Sequence, residues 1–459
     1  FKPCNISEQK NMKPRKIEDK FQPELLKIQL IHLSDMRHSL VQLADKFNWA
    51  KIDELCGAKF CKNNGRTALP SRMIVGLLLL KQMNDLSDEE VCAKFIENPY
   101  FQYFCGNTYF EHKIGLTSES LTNWRKRLGN EIFQQILVET IVLGLAEEVI
   151  SPKELSEVIS DTTAQEKNIT YPTDGKLLCK ALEQVVELGL ACGVKFRQTY
   201  KRTAPRLRNN AARLSHARKP AQAKRETKRL RTLLGRVIRE SERQLENLKN
   251  APQKLLQQFK DKVVIAKQVF EQKRDSKNKI YSMHEPEVSC IAKGKAHKKY
   301  EFGSKVGIVS TIENSFILAV DSFSGNPYDG KTLGGLLIQA ELNTGKKIIT
   351  VVLDKGYRGC KKAHPEIKVM LSGDRNLSPS EKKKLKQRSK IEPTIGLMKS
   401  KCRLNLNRLK GSVGDKLNAT LAAIAYNLRM ILRVIFYFII YCLFLQNIQR
   451  NYQLEKTNW

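Results

Sequence analysis

Strand-like segments stand on both sides of a long cationic stretch that carries only helical periodicity, and this interruption limits the folds open to the chain more than any other feature. On the N-terminal side, Glu157 to Thr163 runs through Val158, Ile159 and Ser160 into Asp161-Thr162-Thr163, a short strand ending in a carboxylate. The next strand signals come about 130 residues later. Tyr300 to Thr311, with Val306, Ile308 and Val309, and Ser315 to Phe323, with Phe316, Ile317, Leu318, Ala319 and Val320, flank the polar turn Glu313-Asn314 and predict a hairpin. Leu333 to Leu342 predicts a helix closed by Gly345. Ile348, Ile349, Val351, Val352 and Leu353 then form an apolar strand that ends at Asp354, and Lys368 to Leu371 gives another short one. Strand, hairpin, helix, strand is the order of an α/β domain, here split by a helical insert over 174–280.

The insert is where the charge lies. Between Lys195 and Arg243 there are 17 Lys and Arg against 3 acids, a net of +14 in 49 residues, within a chain whose 80 basic and 47 acidic residues leave +33. Leu230, Leu233, Leu234, Val237 and Ile238 recur at helical spacing, as do Leu255, Leu256, Phe259 and Val263, so the insert reads as amphipathic helices, one of them very basic. Charge this one-sided repels itself unless a polyanion lies against it, and nucleic acid is the expected partner, with Arg225, Lys228, Arg229 and Arg231 as candidate contacts. A solvated, coiled-coil-like arm is the alternative.

From Leu69 to Gly129 the pattern is helical. Ile74, Leu77, Leu78 and Met83 share a face after Pro70, and Ser87 with Glu90 spells a capping box opening a helix with Val91, Cys92 and Phe95 that stops at Asn98-Pro99. A third helix starts at Thr117-Ser118, runs through Leu121, Trp124 and Leu128 and is expected to end at Gly129. It leaves Asn123, Arg125, Lys126 and Arg127 for solvent, as a recognition helix in a helix-turn-helix-like unit would. The other reading is a basic face on an ordinary helical domain.

Eleven cysteines are scattered with no CxxC pair and no zinc spacing, which predicts reduced thiols in a cytosolic protein. The N-terminal segment, with Lys2, Lys10, Lys13, Arg15 and Lys16, has no apolar core of a secretory signal. Val434 to Leu445 is the longest apolar run, 12 residues where a bilayer span needs about 20, so a buried C-terminal helix is expected, with membrane contact or an out-of-frame tail as the alternatives.

Phosphoryl transfer on DNA with two divalent ions requires carboxylates that converge on the metals, because hard cations take oxygen ligands. Asp161 and Asp354 each close an apolar strand, although a strand-end Asp can equally be a turn former or helix cap. After Ser378-Pro379 a helix carries Leu385, Arg388, Ile391, Glu392, Ile395 and Lys399. Arg388 precedes Glu392 by four residues and Lys399 follows it by seven, so the three can share a face, while Pro393 should kink the helix or restart it. A plain intrahelical ion pair is the simpler account of the same spacing.

Asp161-Thr162-Thr163-Ala164-Gln165, Lys293-Gly294-Lys295, Gly325-Asn326-Pro327-Tyr328-Asp329, Asp354-Lys355-Gly356-Tyr357-Arg358-Gly359 and Ile391-Glu392-Pro393-Thr394-Ile395-Gly396 follow one another as in bacterial insertion-sequence transposases of the DDE type, and the chain most resembles the insertion-sequence-five family. Asn98-Pro99-Tyr100-Phe101-Gln102-Tyr103-Phe104-Cys105-Gly106 and the helix at Trp124-Arg125-Lys126-Arg127 are similar to that family's N-terminal domain, so the resemblance runs from about Met36 to Arg433.

The resemblance implies an RNase H-like α/β core with the acidic triad Asp161, Asp354 and Glu392 holding Mg2+ or Mn2+, two ions in all. It further implies DNA cleavage followed by attack of the freed 3′-hydroxyl on target DNA. Arg388 and Lys399 would hold phosphates near the cut. The family's Tyr three residues before the Arg is Leu385 here, which puts that accessory role in doubt. Asp321 and Asp329 compete for the second acidic position; Asp321 lies inside the hairpin strand and Asp329 in a Gly/Pro turn, so Asp354 is preferred.

The resulting division is an N-terminal extension over 1–35, a helical DNA-binding domain over 36–150, the core over 151–173 and 281–433, the basic insert over 174–280, and an apolar helix and tail over 434–459. The expected partners are double-stranded DNA, as terminal inverted repeats and target, and further copies of the chain on that DNA; no membrane is expected, and the place of action would be the bacterial cytoplasm, at the nucleoid. An RNase H-like nuclease or resolvase, and an inactive DNA-binding remnant of a transposon, are the rival readings.

Overall fold

The computed structural model describes residues 27–60, 68–248, 251–273, 275–292, 299–375 and 377–457, so the Lys293-Gly294-Lys295 motif and residues 1–26 of the N-terminal extension lie outside the described residues. The chain divides into two compact units. One draws on the residues up to Gln165, Val306–Phe323 and those from Pro327 onward; the other comprises Glu166–Lys305 and Ser324–Asn326.

Among the described residues, seven helices open the first unit: α1 (Leu30–Leu33), α2 (Ser39–Lys46), α3 (Trp49–Gly57), α4 (Ser71–Met83), α5 (Asp88–Glu97), α6 (Pro99–Phe104) and α7 (Ser118–Ala146). The α5 capping box forms as spelled, Ser87 and Glu90 each accepting from the other's backbone N–H. Asn98 then caps α6, with Pro99 at the first position, where a missing N–H costs nothing. Helix α4 is buried nearly all round, not along one face. Gly129 does not end α7: at φ +72°, ψ 173°, a conformation open only to glycine, it breaks the helix, which resumes and runs to Ala146. Residues of that second half, such as Ile136 and Ile141, share one core with Ile308 and Leu318 of the hairpin and Val351 of the later strand. Among the described residues, the helical region and the strands that follow it therefore share one core.

Strand β1 (Glu157–Lys167) enters the sheet. The second unit follows, with α8 (Asp174–Ala191), α9 (Thr203–His216), α10 (Pro220–Gln244), α11 (Gln253–Glu271) and β2 (Ser289–Ala292), the last antiparallel to the first residues of β3 (Tyr300–Thr311). Leu182 and Val185 of α8, Leu230, Leu234 and Val237 of α10, and Phe259 and Val263 of α11 form its core. The insert is thus a packed bundle with a cationic surface and not a solvated arm, and its compact unit reaches from Glu166 to Lys305, beyond the expected 174–280.

Back in the first unit come β4 (Ile317–Phe323), α12 (Asp329–Thr344), β5 (Thr350–Leu353), α13 (Cys360–Ala363), β6 (Lys368–Leu371), α14 (Pro379–Gln387), α15 (Ile391–Lys401), β7 (Leu406–Asn407) and α16 (Gly411–Thr457). The sheet order is β4-β3-β1-β5-β6, with β7 on β1; β1, β5 and β6 are parallel. Gly345 ends α12 in the left-handed conformation, as expected of a C-terminal glycine. Pro393 does not kink its helix, because α15 begins at Ile391 and the proline falls in the first turn.

The expected burial of Val434 to Leu445 does not hold. Leu417 to Leu428 of α16 lie in the core and Ile435 and Ile439 still touch it, but Phe436, Tyr437, Phe438, Tyr441 and Phe444 are exposed. By length and composition Gly411–Gln446 would suffice to cross a membrane. However, Asp415 and Asn427 in its first half are buried in hydrogen bonds to Asn407 and to the Ile317 carbonyl, which leaves outside the core an apolar stretch shorter than the roughly 20 residues of a span.

Candidate active site

The β1–β5 register brings two acids together. Glu157 stands opposite Thr350, Val158 opposite Val351 and Ile159 opposite Val352. Two further steps set Asp161 beside Asp354, whose backbone is still extended, and the period of two puts both side chains on one face of neighbouring parallel strands. Asp161 does not end its strand: Ala164 and Gln165 continue β1, both buried. Each carboxylate also accepts the next backbone N–H, Asp161 from Thr162 at 2.7 Å and Asp354 from Lys355 at 2.6 Å.

Burial pushes the Asp161 carboxyl up to about 6. The negative charges of Asp354 and Asp329 add to the rise, against the Thr162 N–H and the Arg388 cation. A buried carboxylate facing like charges is the setting in which a bound cation is most favourable.

Arg388, in the single helical turn between α14 and α15, reaches Asp161 at 3.7 Å and Glu392 at 3.5 Å. The Glu392 side chain is 69% exposed, against 21% for Asp161. Glu392 is therefore linked to Asp161 through a guanidinium, and among the described residues no three His, Cys, Asp or Glu groups converge closely enough to hold a metal ion. The two aspartates fit a cation, and Glu392 stands within reach of the same arginine. Lys399 lies two turns further along α15, half-buried, and Leu385 packs against the core.

Of the rival acids, Asp321 pairs with Lys416 at 3.4 Å, whereas Asp329 accepts the Thr162 hydroxyl at 2.8 Å, one residue from Asp161. Sequence reasoning gave no role to Thr162, Tyr328 or Tyr357. The signal available was the succession of the Gly325–Asp329 and Asp354–Gly359 motifs, whose contact is tertiary.

The cationic candidates divide. Asn123 and Lys126 are exposed, and Arg127 lies over the Trp124 ring at 5.1 Å. Arg125 is buried, a correction to its expected exposure: Nη1 and Nη2 donate to both Asp88 oxygens at 2.7 and 2.6 Å, and Lys81 donates to the same carboxylate at 2.7 Å. Burial alone would raise the Asp88 carboxyl, but these two cations hold it below its ordinary value. Arg225, Lys228 and Arg229 of α10 are exposed, Arg229 pairing with Glu226 at 2.8 Å. Arg231 is half-buried, its guanidinium donating to the Phe270 and Gln272 carbonyls at the end of α11, so it is committed to the bundle and not to a ligand.

Residues 29–127 match the family described as Transposase domain (DUF772), and residues 284–428 match the Transposase DDE domain. The second match contains Asp354, Arg388, Glu392 and Lys399; Asp161 and the cationic insert fall outside both. The chain is also 39% identical over 195 residues to the uncharacterized protein ORF8 in the nfe locus of Rhizobium meliloti, a match covering 42% of this chain and 94% of that protein. No solved structure matches. A helical domain of one transposase family followed by a DDE domain defines an enzyme of DNA transposition and recombination. The chain belongs to the DDE-type transposases.

Proposed function

We propose that this enzyme is the transposase of a bacterial insertion sequence of the insertion-sequence-five group, binding transposon ends and carrying out metal-dependent cleavage and strand transfer on an RNase H-like core. The observation that carries the reading is the side-by-side placement of Asp161 and Asp354 by the β1–β5 register. The sheet order, with a hairpin on one side of β1 and parallel strands on the other, supports the RNase H-like assignment.

The transposase DDE family implies a divalent metal. Asp161 and Asp354 would hold it, with Glu392 supplying a further oxygen to a pair of Mg2+ or Mn2+ ions. When bound, such ions stabilise charge on the reacting phosphate and activate the attacking oxygen. Arg388 would hold the Asp161 and Glu392 carboxylates in place and, with Lys399, contact backbone phosphates. Asn123, Lys126 and Arg127 of α7, and Arg225, Lys228 and Arg229 of α10, would grip DNA, with further copies of the chain joining on the two ends.

The test is a labelled transposon-end duplex incubated with target DNA and Mg2+ or Mn2+. The expected products are cut ends and ends joined to target, both lost in Glu392→Gln while DNA binding persists. Cutting without joining would favour a nuclease. Equal activity in Glu392→Gln would reduce Glu392 to the ion-pair partner of Arg388.

A further inference from the structure

The backbone ladder between β1 and β5 is registered only as far as Ile159 and Val352, two residues short of the acids it brings together. Something else must fix the separation of Asp161 and Asp354, and the segment between β4 and α12 supplies the contacts. Thr162, whose side chain leaves β1 on the face opposite Asp161, donates its hydroxyl to Asp329 Oδ1 at 2.8 Å. The other oxygen of the same carboxylate lies against the turn that follows Asp354: a Cβ at Gly356 would stand 3.3 Å from Asp329 Oδ2, tighter than ordinary packing. Next to it, the Tyr328 hydroxyl donates to the Arg358 carbonyl at 2.7 Å. Tyr357, between these points, is 1% exposed.

We propose that Asp329 is a positioning residue: its carboxylate fastens Thr162 of β1 against Gly356 of the Asp354 turn, Tyr328 latches the same turn at Arg358, and the two together set the spacing of Asp161 and Asp354. Asp329 is then a buttress on the reverse face and not a metal ligand. This rests on the reading that Asp161 and Asp354 hold the cation. The fourth acid of the region acts through the other two, which explains why a carboxylate one residue from Asp161 in space is engaged by a hydroxyl.

The experiment is a Mn2+-binding titration on the full chain without DNA, with end cleavage and melting temperature measured beside it, for Asp329→Ala, Asp329→Asn, Thr162→Val, Thr162→Val/Asp329→Ala and Asp161→Asn. Loss of a group that orients a ligand costs roughly 10- to 100-fold in metal affinity. Asp329→Ala should therefore weaken Mn2+ binding by at least about tenfold. Asp329→Asn keeps the oxygen that accepts from Thr162 and should fall no more than about threefold, a rescue that also decides the matter if the alanine variant melts early. Thr162→Val should weaken binding too, and the double variant should bind no worse than Asp329→Ala, because both remove the same hydrogen bond. Asp329→Asn as weak as Asp161→Asn would make Asp329 a ligand and overturn the proposal; so would unchanged binding in Asp329→Ala while Asp161→Asn loses it. If Asp161→Asn bound Mn2+ like the parent, the metal-site reading itself would fall, and the proposal with it.

Discussion

Helices α7 and α10 look alike in sequence, each a run of arginines and lysines beside leucines, yet they use their cations differently. In α7 the guanidinium of Arg125 turns inward to Asp88, the first residue of α5, and Lys81 of α4 completes the group. Burial and the neighbouring Arg125 push the Lys81 amine down to about 8. In α10 the apolar residues take the inward face, Leu230, Leu234 and Val237, and Arg225 and Lys228 are left in water. A cation with an acid waiting in the core becomes structure; one without becomes surface for a ligand. Arg231 lies between the two cases, consumed by carbonyls at a helix end.

The largest expected effect breaks the comparison at Arg125. Arg125→Ala leaves the part-buried Asp88 with only Lys81, and since removing one partner of a fully buried ion pair costs about 3–5 kcal/mol, the loss here should approach the lower end of that range. The melting temperature should drop sharply, and DNA binding should be lost only with the fold. An Arg125→Ala protein that melted like the parent but failed to bind DNA would return Arg125 to the recognition surface.

Asp161 sharpens the same point with the opposite sign, since its burial is opposed by like charges. Its folded pKa, about 6, lies above the unfolded value near 4, so the native state holds the proton more tightly and the cost of ionisation is absent at pH 4 and full above pH 6. Asp161→Asn should therefore raise metal-free stability at pH 7 by on the order of 2–3 kcal/mol and by little at pH 4. Equal effects at both pH values, in chemical unfolding, would contradict a strained carboxyl.

Replacing Arg225, Lys228 and Arg229 together with Gln should leave melting unchanged, weaken DNA binding and reduce the slope of log affinity against log salt by about 0.9 for each phosphate that is no longer neutralised. An unchanged slope would place DNA elsewhere. Lys126→Ala, the smallest effect, should change stability by no more than about 0.5 kcal/mol, in contrast with its neighbour Arg125.

The features legible in the sequence were those set within a few residues. The Ser87–Glu90 box, the hairpin around Glu313-Asn314, α12 with Gly345 and the apolar strand before Asp354 all rest on local patterns. Where the deciding partner was distant, the reading failed. Asp88 stands 37 residues before Arg125, and nothing in the spacing announces it. Gly129 marked a break in α7, but whether the helix resumes depends on the core beyond. The end of β1 was misplaced because the polar residues after Asp161 belong to a strand buried by tertiary packing. The apolar end of α16 reads as core in the sequence but is exposed in the fold, because composition alone cannot say where packing partners stop. For the site, the two aspartates were visible after apolar runs, but the continuation of β1 past Asp161, their register and the grip of Asp329 on Thr162 required the fold.

The central claim is that the aspartate pair joins DNA strands with a metal, and the most direct measurement is strand transfer of a labelled transposon end into target DNA by the parent and by Asp354→Asn, with end binding measured on the same samples. The parent should cut and join with Mg2+ or Mn2+ and do neither in a chelator, and Asp354→Asn should bind the ends as tightly as the parent yet yield no joined product. Joined product from Asp354→Asn at the parent's rate would contradict the account.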